Sequence, residues 1–553
     1  MSNSLSRRAV IAGAGASALA LSGAGFAQRH TVAQGVVFED GRGDGRRQLG
    51  DPGIPGVMVS NGRDVVLTAQ DGSWSLPVEP GDSIFVIKPP HWRTPASPGG
   101  IPNFSYTHQP EGSPKHLGTH FPVIDPTGPL PASLDFPLIR QEEHRDFEAL
   151  LVSDTQPENA AELDYVRDDI IAAMLGVGVA FGINHGDVVA DDLSLYPRYL
   201  QMLGSTGIAW HHCPGNHDLN HAAQDDHASR ETWKRVFGAR HYAFQHADAT
   251  FFILDNVEYF GRASGRYRGL LGPRQLDFVR NVLRYVPPER LVVLSMHIPL
   301  RCHLDPDNPA DTTADYRALL ALLSGRSNTV SFAGHLHATE HHYLHEAEGF
   351  AGPRPHHHHV LTAASGSWWS GPSDHRGIPF ADSSDGTPNG FHVLSVSGNR
   401  YTTRFTPAVT KAASQLRVLV DGPHCRSGNA AMAEPQRSGK LGLCVPIDAL
   451  GRCNVVANVF DGGPKTRVTY EIVGHCRQML MHAASMPDPL IVELFARDAP
   501  RKAWVGAVAS SHIWKATLPA TLPPGAHALL VRAWDEYGRE HIARAVLEVT
   551  AAL

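Results

Sequence analysis

EALLVSDTQ, residues 148–156, joins a short apolar run to a carboxylate and an amide side chain. The same arrangement recurs in FGINHGD (181–187), AWHHCPGNHD (209–218), LVVLSMH (291–297) and TVSFAGHLH (329–337). Each apolar run has the length and composition of a buried strand. Helical patterns lie between these strands, and strands that alternate with helices indicate layered α/β structure. Ligands of such sheets gather at the carboxyl ends of the strands, so we expect the polar residues of the five segments to meet at one edge.

Four segments of this middle region carry helical signals: 160–175, 229–237, 273–285 and 313–323. In the third, a proline begins the segment and Leu276, Val279 and Leu283 recur at helical spacing. Short β-branched and aromatic runs between turn residues fill residues 30–88 and the region beyond about residue 400, including 490–495. We therefore expect an N-terminal β-sandwich domain and linker (30–135), an α/β core (140–397) and a C-terminal β-rich domain (398–553).

Seven side chains of the five segments carry atoms that bind divalent cations: Asp154, Gln156, Asp187, Asn216, His297, His335 and His337. A carboxylate after a strand can give one oxygen to each of two ions, and Asp187 is the natural bridge. Imidazole, carboxylate and amide oxygen together suit Zn, Mn or Fe, and suit Mg less well. Two divalent ions side by side can hold a bridging hydroxide and hydrolyse phosphate esters. His217 is then a candidate general acid for the leaving oxygen, and Asp218 is a candidate to orient its ring.

These segments resemble the motifs of the calcineurin-like metallophosphoesterase superfamily: Asp-x-His, Gly-Asp, Gly-Asn-His, a lone His and Gly-His-x-His. The resemblance covers residues 150–340. It implies an α/β fold whose core is a layered β-sandwich flanked by helices, with small all-β domains at both ends. It also implies an enzyme that hydrolyses phosphomonoesters or phosphodiesters, and the sequence does not decide between these two classes.

Two positions depart from the pattern of the superfamily. Gln156 stands where many members have His, so it is either a weak metal ligand or a hydrogen-bond partner of a bound water. Ala190 stands where purple acid phosphatases, which belong to this superfamily, carry Tyr. We therefore expect no tyrosinate–iron(III) site.

Trp368, Trp369 and Asn389 are candidate substrate-binding residues, in or beside segments that look like those of the subfamily with two flanking β-domains. The tryptophans offer an apolar face to a lipid, a sugar or a base, or they pack the core against a flanking domain. Asn389 bonds a polar leaving group or builds a turn. The expected substrate is a phosphorylated small molecule, lipid or glycan. The alternative is a weakly active envelope protein whose β-domains bind polysaccharide.

The N-terminus carries the signature of an export signal. Paired Arg7 and Arg8 precede an apolar stretch, and small residues flank a cleavage site after Ala27. We expect a twin-arginine signal over residues 1–27 and a periplasmic or secreted enzyme; a Sec signal or a retained anchor is the alternative. No later segment approaches the ~20 apolar residues of a membrane span. The formal charge of −7 and the lack of a Lys/Arg run argue against nucleic acid as a partner.

Six cysteines and a run of four histidines remain. Pairing among the last four cysteines is expected in an oxidising compartment, whereas Cys213 and Cys302 either pair with each other or stay buried thiols. Side chains alternate across a strand, so at most two of the histidines at 356–359 can share one ion. We expect this run to be a solvated loop with one inward histidine.

Overall fold

The computed structural model describes residues 31–114, 120–408, 414–425, 442–497 and 502–551, and the predicted signal peptide lies outside them. The first strands are β1 (Thr31–Glu39), β2 (Met58–Ser60), β3 (Val65–Leu67), β4 (Ser73–Val78), β5 (Ser83–Ile87), β6 (Trp92–Arg93), β7 (Ser105–Thr107) and β8 (Phe136–Arg140). They form two four-stranded sheets, in the orders β4–β1–β8–β6 and β3–β2–β5–β7. Along β4, Trp74, Leu76 and Val78 are buried and their neighbours are less so, which is the period of a strand with one covered face.

The middle of the chain contains two larger sheets. Its strands are β9 (Asp146–Val152), β10 (Phe181–Asn184), β11 (Ala209–His212), β12 (Tyr242–His246), β13 (Ala249–Ile253), β14 (Val257–Tyr259), β15 (Tyr267–Gly269), β16 (Leu291–Ser295), β17 (Thr329–Ala333), β18 (Glu340–Leu344), β19 (His356–Val360), β20 (Gly390–Ser397) and β21 (Arg400–Pro407). One sheet has the order β11–β10–β9–β20–β21, the other β12–β13–β16–β17–β19–β18, and β14 pairs with β15. Aromatic and aliphatic side chains of both sheets pack into a shared core.

Helices connect the strands of these two sheets. They are α1 (Ala160–Tyr165), a π-helical turn (Val166–Ile171) that continues it into α2 (Ala172–Met174), α3 (Tyr196–Gly204), α4 (Asp226–Ser229), α5 (Glu231–Phe237), α6 (Gly272–Leu283) and α7 (Tyr316–Leu323). The side chain of Asn159 caps α1 by accepting from the backbone of Ala161 and Glu162, as N-cap residues do. All four predicted helical segments are thus helical over most of their length.

The last part of the chain is rich in strands. Its elements are β22 (Leu416–Asp421), β23 (Cys444–Pro446), β24 (Asn454–Val459), β25 (Arg467–Ile472), β26 (Cys476–Leu480), β27 (His482–Ala483), β28 (Met486–Pro487), α8 (Pro489–Arg497), β29 (Ala509–Ser510), β30 (Ile513–Thr517), β31 (Gly525–Trp534) and β32 (Glu540–Thr550). Two sheets have the orders β22–β24–β30–β27 and β23–β32–β31–β25–β26, and β28 pairs with β29. The predicted fold class is therefore confirmed: an α/β core of layered sheets lies between two β-rich regions.

Three elements differ from the predicted boundaries. β8 lies beyond residue 135 but pairs with β1 in the N-terminal sheets. β21 lies beyond residue 397 but pairs with β20 in a core sheet over eight residue pairs. Residues 490–495, predicted as a strand, belong to the helix α8, because Asp488 accepts a hydrogen bond from the backbone of Leu490 at 2.7 Å and caps its first turn.

The four histidines at 356–359 form most of β19 and are all buried, so the prediction of a solvated loop is wrong. β19 pairs with β17 on one side and with β18 on the other, which places it inside the sheet. On one face of β19, a hydroxyl group provides hydrogen bonds for the histidine rings: Ser331 Oγ lies 2.8 Å from His356 Nε2 and 2.7 Å from His358 Nδ1.

All six cysteines lie in the described parts of the chain, and no disulfide joins any two of them, so the expected pairing is not seen. Cys213 and Cys302 are buried. None of the helices among the described residues is long and apolar enough to span a bilayer.

Candidate metal centre

Five segments meet at one edge of the paired core sheets. β9, β10 and β11 run parallel to one another, and so do β16 and β17. The predicted donors follow the carboxyl ends of these strands: Asp154 and Gln156 after β9, Asp187 after β10, Asn216 after β11, His297 after β16, and His335 and His337 after β17. The location agrees with the general rule for ligand sites in such sheets.

Backbone strain is concentrated at the same edge. Five of the seven donors have positive φ angles: Asp154 (53°), Gln156 (36°), Asp187 (52°), His335 (76°) and His337 (50°). Each such residue costs on the order of 1–3 kcal/mol unless its surroundings hold it in place, and such residues cluster at ligand sites. The strained turns direct polar side chains to one place instead of relaxing.

Asp187 and His297 join donors that follow four different strands. Nε2 of Gln156 donates to Oδ2 of Asp187 at 2.7 Å. The same carboxylate oxygen lies 3.3 Å from Nε2 of His297, and that nitrogen lies 3.0 Å from Oδ1 of Asn216. All four side chains are buried, with exposed fractions of 3% or less.

The remaining donors extend this network without a gap. Nδ1 of His335 lies 3.2 Å from Nε2 of His297, and the backbone N–H of His335 donates to Oδ2 of Asp154 at 3.0 Å. Oδ1 of Asp154 lies 3.7 Å from Nε2 of His337. The structure therefore brings all seven predicted donors together around one small volume.

Several donor atoms face this volume with a lone pair for a cation. Nδ1 of His297 donates to the carbonyl oxygen of His185 at 2.8 Å, so Nε2 is the atom that offers a lone pair once the ring is neutral. Nδ1 of His337 donates to the carbonyl oxygen of Gly366, and its Nε2 is buried with no hydrogen-bond partner. Oε1 of Gln156 is also buried and unpartnered. Buried polar atoms without a partner are costly, and a cation satisfies them, so these residues fit divalent metal ions.

Two glycines of the motifs give the donors their room. A Cβ atom at Gly215 would lie 2.1 Å from Oδ1 of Asp187, and one at Gly334 would lie 2.4 Å from Oδ2 of Asp154. Each distance is far inside ordinary contact. Glycine is therefore required before Asn216 and His335 by the close approach of the acidic donors.

His217 lies beside the donors with its ring partly exposed. Its backbone N–H donates to Oδ1 of Asp187 at 2.9 Å, and 33% of its side chain is accessible. Its Nδ1 lies 2.8 Å from Oδ1 of Asp191, and Nε2 of His221 lies 3.0 Å from the same oxygen. The ring is therefore held by a carboxylate that the sequence motifs do not include.

Asp218 does not contact that ring, which corrects its predicted role. It is fully buried and accepts from the backbone N–H of Gly215 at 2.9 Å, from that of Val188 at 3.1 Å and from the hydroxyl of Tyr196 at 3.0 Å. Burial and the nearby charge of Asp187 raise the pKa of Asp218 to about 6. Asp218 braces the turns that carry two of the donors, and Asp191 takes the place beside His217.

Burial and neighbouring charges shift the pKa values of three histidines in the centre. Burial lowers the pKa of His337 to about 4. Burial also acts to lower the pKa of His297, but the carboxylate of Asp187 outweighs it and raises that pKa to about 9. The pKa of His217 is raised to about 9 in the same way, by Asp187 and Asp191 against burial. Metal binding needs a neutral His297 ring, so it must release this proton.

Two family models match the chain on either side of the centre. The one described as the N terminal of calcineurin-like phosphoesterase matches residues 41–121, and the one described as the C terminal of calcineurin-like phosphoesterase matches residues 358–541. The two matches identify N-terminal and C-terminal calcineurin-like phosphoesterase domains in the chain. The chain is a hydrolase of phosphate esters that depends on divalent metal ions.

A solved structure of a purple acid phosphatase from yellow lupin (Lupinus luteus) seeds is similar at 11% identity and a TM-score of 0.32. The match covers 64% of the phosphoesterase and 67% of the lupin chain. A likeness this distant supports no argument about the site. No curated protein matches the chain.

The three candidate substrate-binding residues lie in different surroundings. Trp368 is partly exposed and stacks on the ring of His337, with centroids 3.7 Å apart and planes 15° apart. Trp369 is 1% exposed, and its Nε1 donates to the carbonyl oxygen of Thr155 at 2.9 Å, between the two donors that follow β9. Trp369 thus packs the core of the phosphoesterase, and Trp368 packs against a predicted donor, His337.

Asn389 is fully buried, and its amide donates to Oδ2 of Asp169 at 2.8 Å and to the carbonyl oxygen of Ala364 at 3.2 Å. A side chain enclosed in this way does not reach a substrate. Its predicted role in binding is therefore replaced by a structural one.

Sequence reasoning missed Asn256, which fixes the position of His297. Its Oδ1 accepts from the backbone N–H of His297 at 3.2 Å and of Ile298 at 3.1 Å, and its Nδ2 donates to Oγ1 of Thr313 at 2.8 Å. Asn256 follows β13, which is parallel to β16. The sequence does contain a signal for Asn256, because this residue, like the predicted donors, is a polar residue shortly after a core strand.

Proposed function

We propose that the phosphoesterase works with two divalent metal ions. Asp154, Gln156 and His337 would hold one ion, Asn216, His297 and His335 the other, and Asp187 both. The observation that carries the proposal is the convergence of seven donors, six of them buried, of which two keep an unpartnered atom, Oε1 of Gln156 and Nε2 of His337. When bound, two such ions supply an activated water as nucleophile and neutralise charge on the phosphate.

His217 is proposed as the general acid. Its backbone is tied to Asp187, so the ring lies beside the donors, and its exposed side faces away from the core. A protonated ring that donates Nδ1–H to Asp191 keeps Nε2–H for the leaving oxygen. General acids of this kind contribute about 10²–10⁴-fold to the rate.

We propose that diesters are preferred to monoesters. Two carboxylates flank the donors: Asp191 beside His217, and Asp311, whose Oδ1 lies 3.4 Å from Nε2 of His335. Among the described residues, no Lys or Arg hydrogen bonds or pairs with the seven donors. This charge pattern repels a monoester dianion more than a diester monoanion.

Asp187→Asn tests the two-metal proposal. We expect the purified variant to lose metal by elemental analysis and to lose turnover of bis-nitrophenyl phosphate with Mn or Zn. The exposed Asp307→Asn is the matched control and should behave as wild type. An Asp187→Asn enzyme with full metal content and turnover would overturn the proposal.

The substrate preference has its own test. Wild-type enzyme should hydrolyse bis-nitrophenyl phosphate with a higher kcat/KM than nitrophenyl phosphate, and Asp311→Asn should narrow that ratio. A wild-type preference for the monoester would refute the charge argument while leaving the two-metal proposal intact.

We further propose that the enzyme is exported and acts on a phosphorylated glycan or lipid head group of the cell envelope. The paired Arg7 and Arg8 before an apolar stretch support this. Replacement of both by Lys should keep the protein in the cytoplasm of a bacterial host, and the exported form should begin at Gln28. Unchanged export of the double variant would contradict the twin-arginine route.

A further inference from the structure

Outside the catalytic donors, three buried histidines and one aspartate converge where the core meets the C-terminal strands. We call His341, His359, His392 and Asp461 the histidine cluster. They come from β18, β19, β20 and the turn after β24, so both core sheets and the C-terminal region contribute. Their exposed fractions are 5%, 0%, 1% and 8%.

The ring nitrogens of the histidine cluster all point at one atom. Oδ1 of Asp461 lies 3.3 Å from Nε2 of His341, 3.0 Å from Nε2 of His359 and 3.2 Å from Nε2 of His392. Ligands at about 2.0–2.2 Å from a tetrahedral zinc ion are about 3.3 Å apart. The ligand atoms of His341, His359 and Asp461 all lie within 4.8 Å of one another, close enough to share a single ion, and His392 faces the same carboxylate oxygen.

Hydrogen bonds alone do not account for this arrangement. Each oxygen of a carboxylate offers about two lone-pair sites, and three ring nitrogens face the same oxygen of Asp461. Nδ1 of the completely buried His359 ring has no hydrogen-bond partner, and its Nε2 lies 3.0 Å from the crowded oxygen of Asp461 without hydrogen-bond geometry. An imidazole left in this state is costly, and a shared cation would satisfy the Nε2 atom.

A second row of groups orients one of the rings. Nδ1 of His341 lies 2.9 Å from Nε2 of His357, and Nδ1 of His357 lies 2.7 Å from the hydroxyl of Tyr401. If His341 donates Nδ1–H along this chain, its Nε2 carries a lone pair directed at Asp461. Metal-binding histidines are commonly oriented in this way, by a partner on the other nitrogen.

The turn after β24 is shaped for close approach. A Cβ atom at Gly463 would lie 2.7 Å from the Cβ of His341 and 3.0 Å from the side chain of Glu536. The glycine lets the C-terminal turn lie directly against β18, which brings Asp461 within reach of the three rings.

We propose that the histidine cluster binds one divalent transition-metal ion, for which zinc is the fitting choice, and that this ion ties the C-terminal strands to the core. The three closest ligands, His341, His359 and Asp461, are buried and come from the core and the C-terminal region, which suits an ion with a structural role. The site shares no residue with the catalytic donors and does not rest on their function.

Elemental analysis of the full-length protein tests the site. The parent for the test is Asp187→Asn, so that catalytic metals are reduced equally in every sample. Addition of Asp461→Asn should remove one further equivalent of zinc per chain, while addition of His342→Gln should remove none. His342 is the matched control, because it lies on β18 beside His341 but bonds Glu340 instead.

A second readout is thermal unfolding. The parent should unfold at a lower Tm after exhaustive chelation and recover on addition of zinc, since metal binding is linked to folding. The Asp461→Asn variant should start near the lower Tm and respond to neither treatment. Equal zinc content in the Asp187→Asn parent and in the variant that also carries Asp461→Asn would overturn the proposal. The histidine cluster would then be held together by hydrogen bonds only.

If the Asp461→Asn variant fails to fold, the X-ray absorption spectrum of zinc in the Asp187→Asn parent tests the proposal instead. The proposal expects a zinc population with imidazole nitrogen ligands from His341 and His359 and a carboxylate oxygen ligand from Asp461. A protein that contains no zinc would refute it.

Discussion

Gly215→Ala should dismantle the metal centre without strain in the backbone. Gly215 has φ −103°, which alanine adopts freely. The new Cβ atom would lie 2.1 Å from Oδ1 and 2.3 Å from the backbone nitrogen of Asp187, whereas ordinary contact begins at 3.4 Å. The oxygen or the turn must therefore move by about 1.3 Å, against the tolerance of about 0.2 Å in metal–ligand distances.

The expected result is the loss of at least one metal equivalent and a fall in kcat of about 10²-fold or more, since misplacement by 1 Å has effects of that size. The overpacking itself should cost about 1–3 kcal/mol of unfolding free energy. Metal content, turnover of bis-nitrophenyl phosphate and urea unfolding are measured on the same preparation. Gly178→Ala is the control, because a Cβ atom there meets nothing within 4 Å. A Gly215→Ala enzyme that keeps its metals and a kcat within about twofold of the control would contradict this prediction.

Three further changes have defined outcomes. Asp191→Asn should slow alkyl esters with poor leaving groups by about 10–100-fold and activated aryl esters much less, because it releases the ring of the general acid; equal slowing of both classes would contradict this. Burial opposes ionisation of Glu143, but the hydrogen bond with His246 and the neighbouring lysine lower its pKa from 4.5 to about 2. The folded pKa is the lower one, so a contribution of about 3 kcal/mol is complete above pH ~4.5 and is lost as the pH falls toward 2. Urea unfolding of Glu143→Gln should show a shallower loss of stability across that range, and a slope equal to wild type would refute the assignment. Trp368→Ala removes the ring stacked on His337 and should weaken metal binding by about tenfold in a competition titration with a chelator; unchanged affinity would show that the stack does not support the ligand.

The convergence of the seven donors could be predicted because their placement depends on a local rule. Each follows an apolar run, and the carboxyl ends of parallel strands meet at one edge whatever the details of the loops. The partner of His217 was not predictable in this way. Asp191 lies 26 residues earlier and reaches the ring from a turn with φ 67°, whereas Asp218 is adjacent in sequence but points into the core.

The burial of a run of polar residues is the other feature that could not be predicted from the sequence. Four consecutive histidines look solvated when only their own polarity is considered, yet β19 lies between two strands, and Ser331 and Asp461 from distant segments face its side chains. For residues 490–495 the apolar composition suggested a strand. The preceding Asp488 and Pro489 form a helix-start signal. The apolar composition of 490–495 favours a strand and conflicts with it.

The most direct test of the two-metal account is anomalous diffraction from crystals of the Mn-loaded enzyme. The account predicts two peaks about 3.5–4 Å apart on either side of the Asp187 carboxylate, one within reach of Asp154 and His337 and the other within reach of Asn216 and His297. A single peak, or none near Asp187, would contradict it.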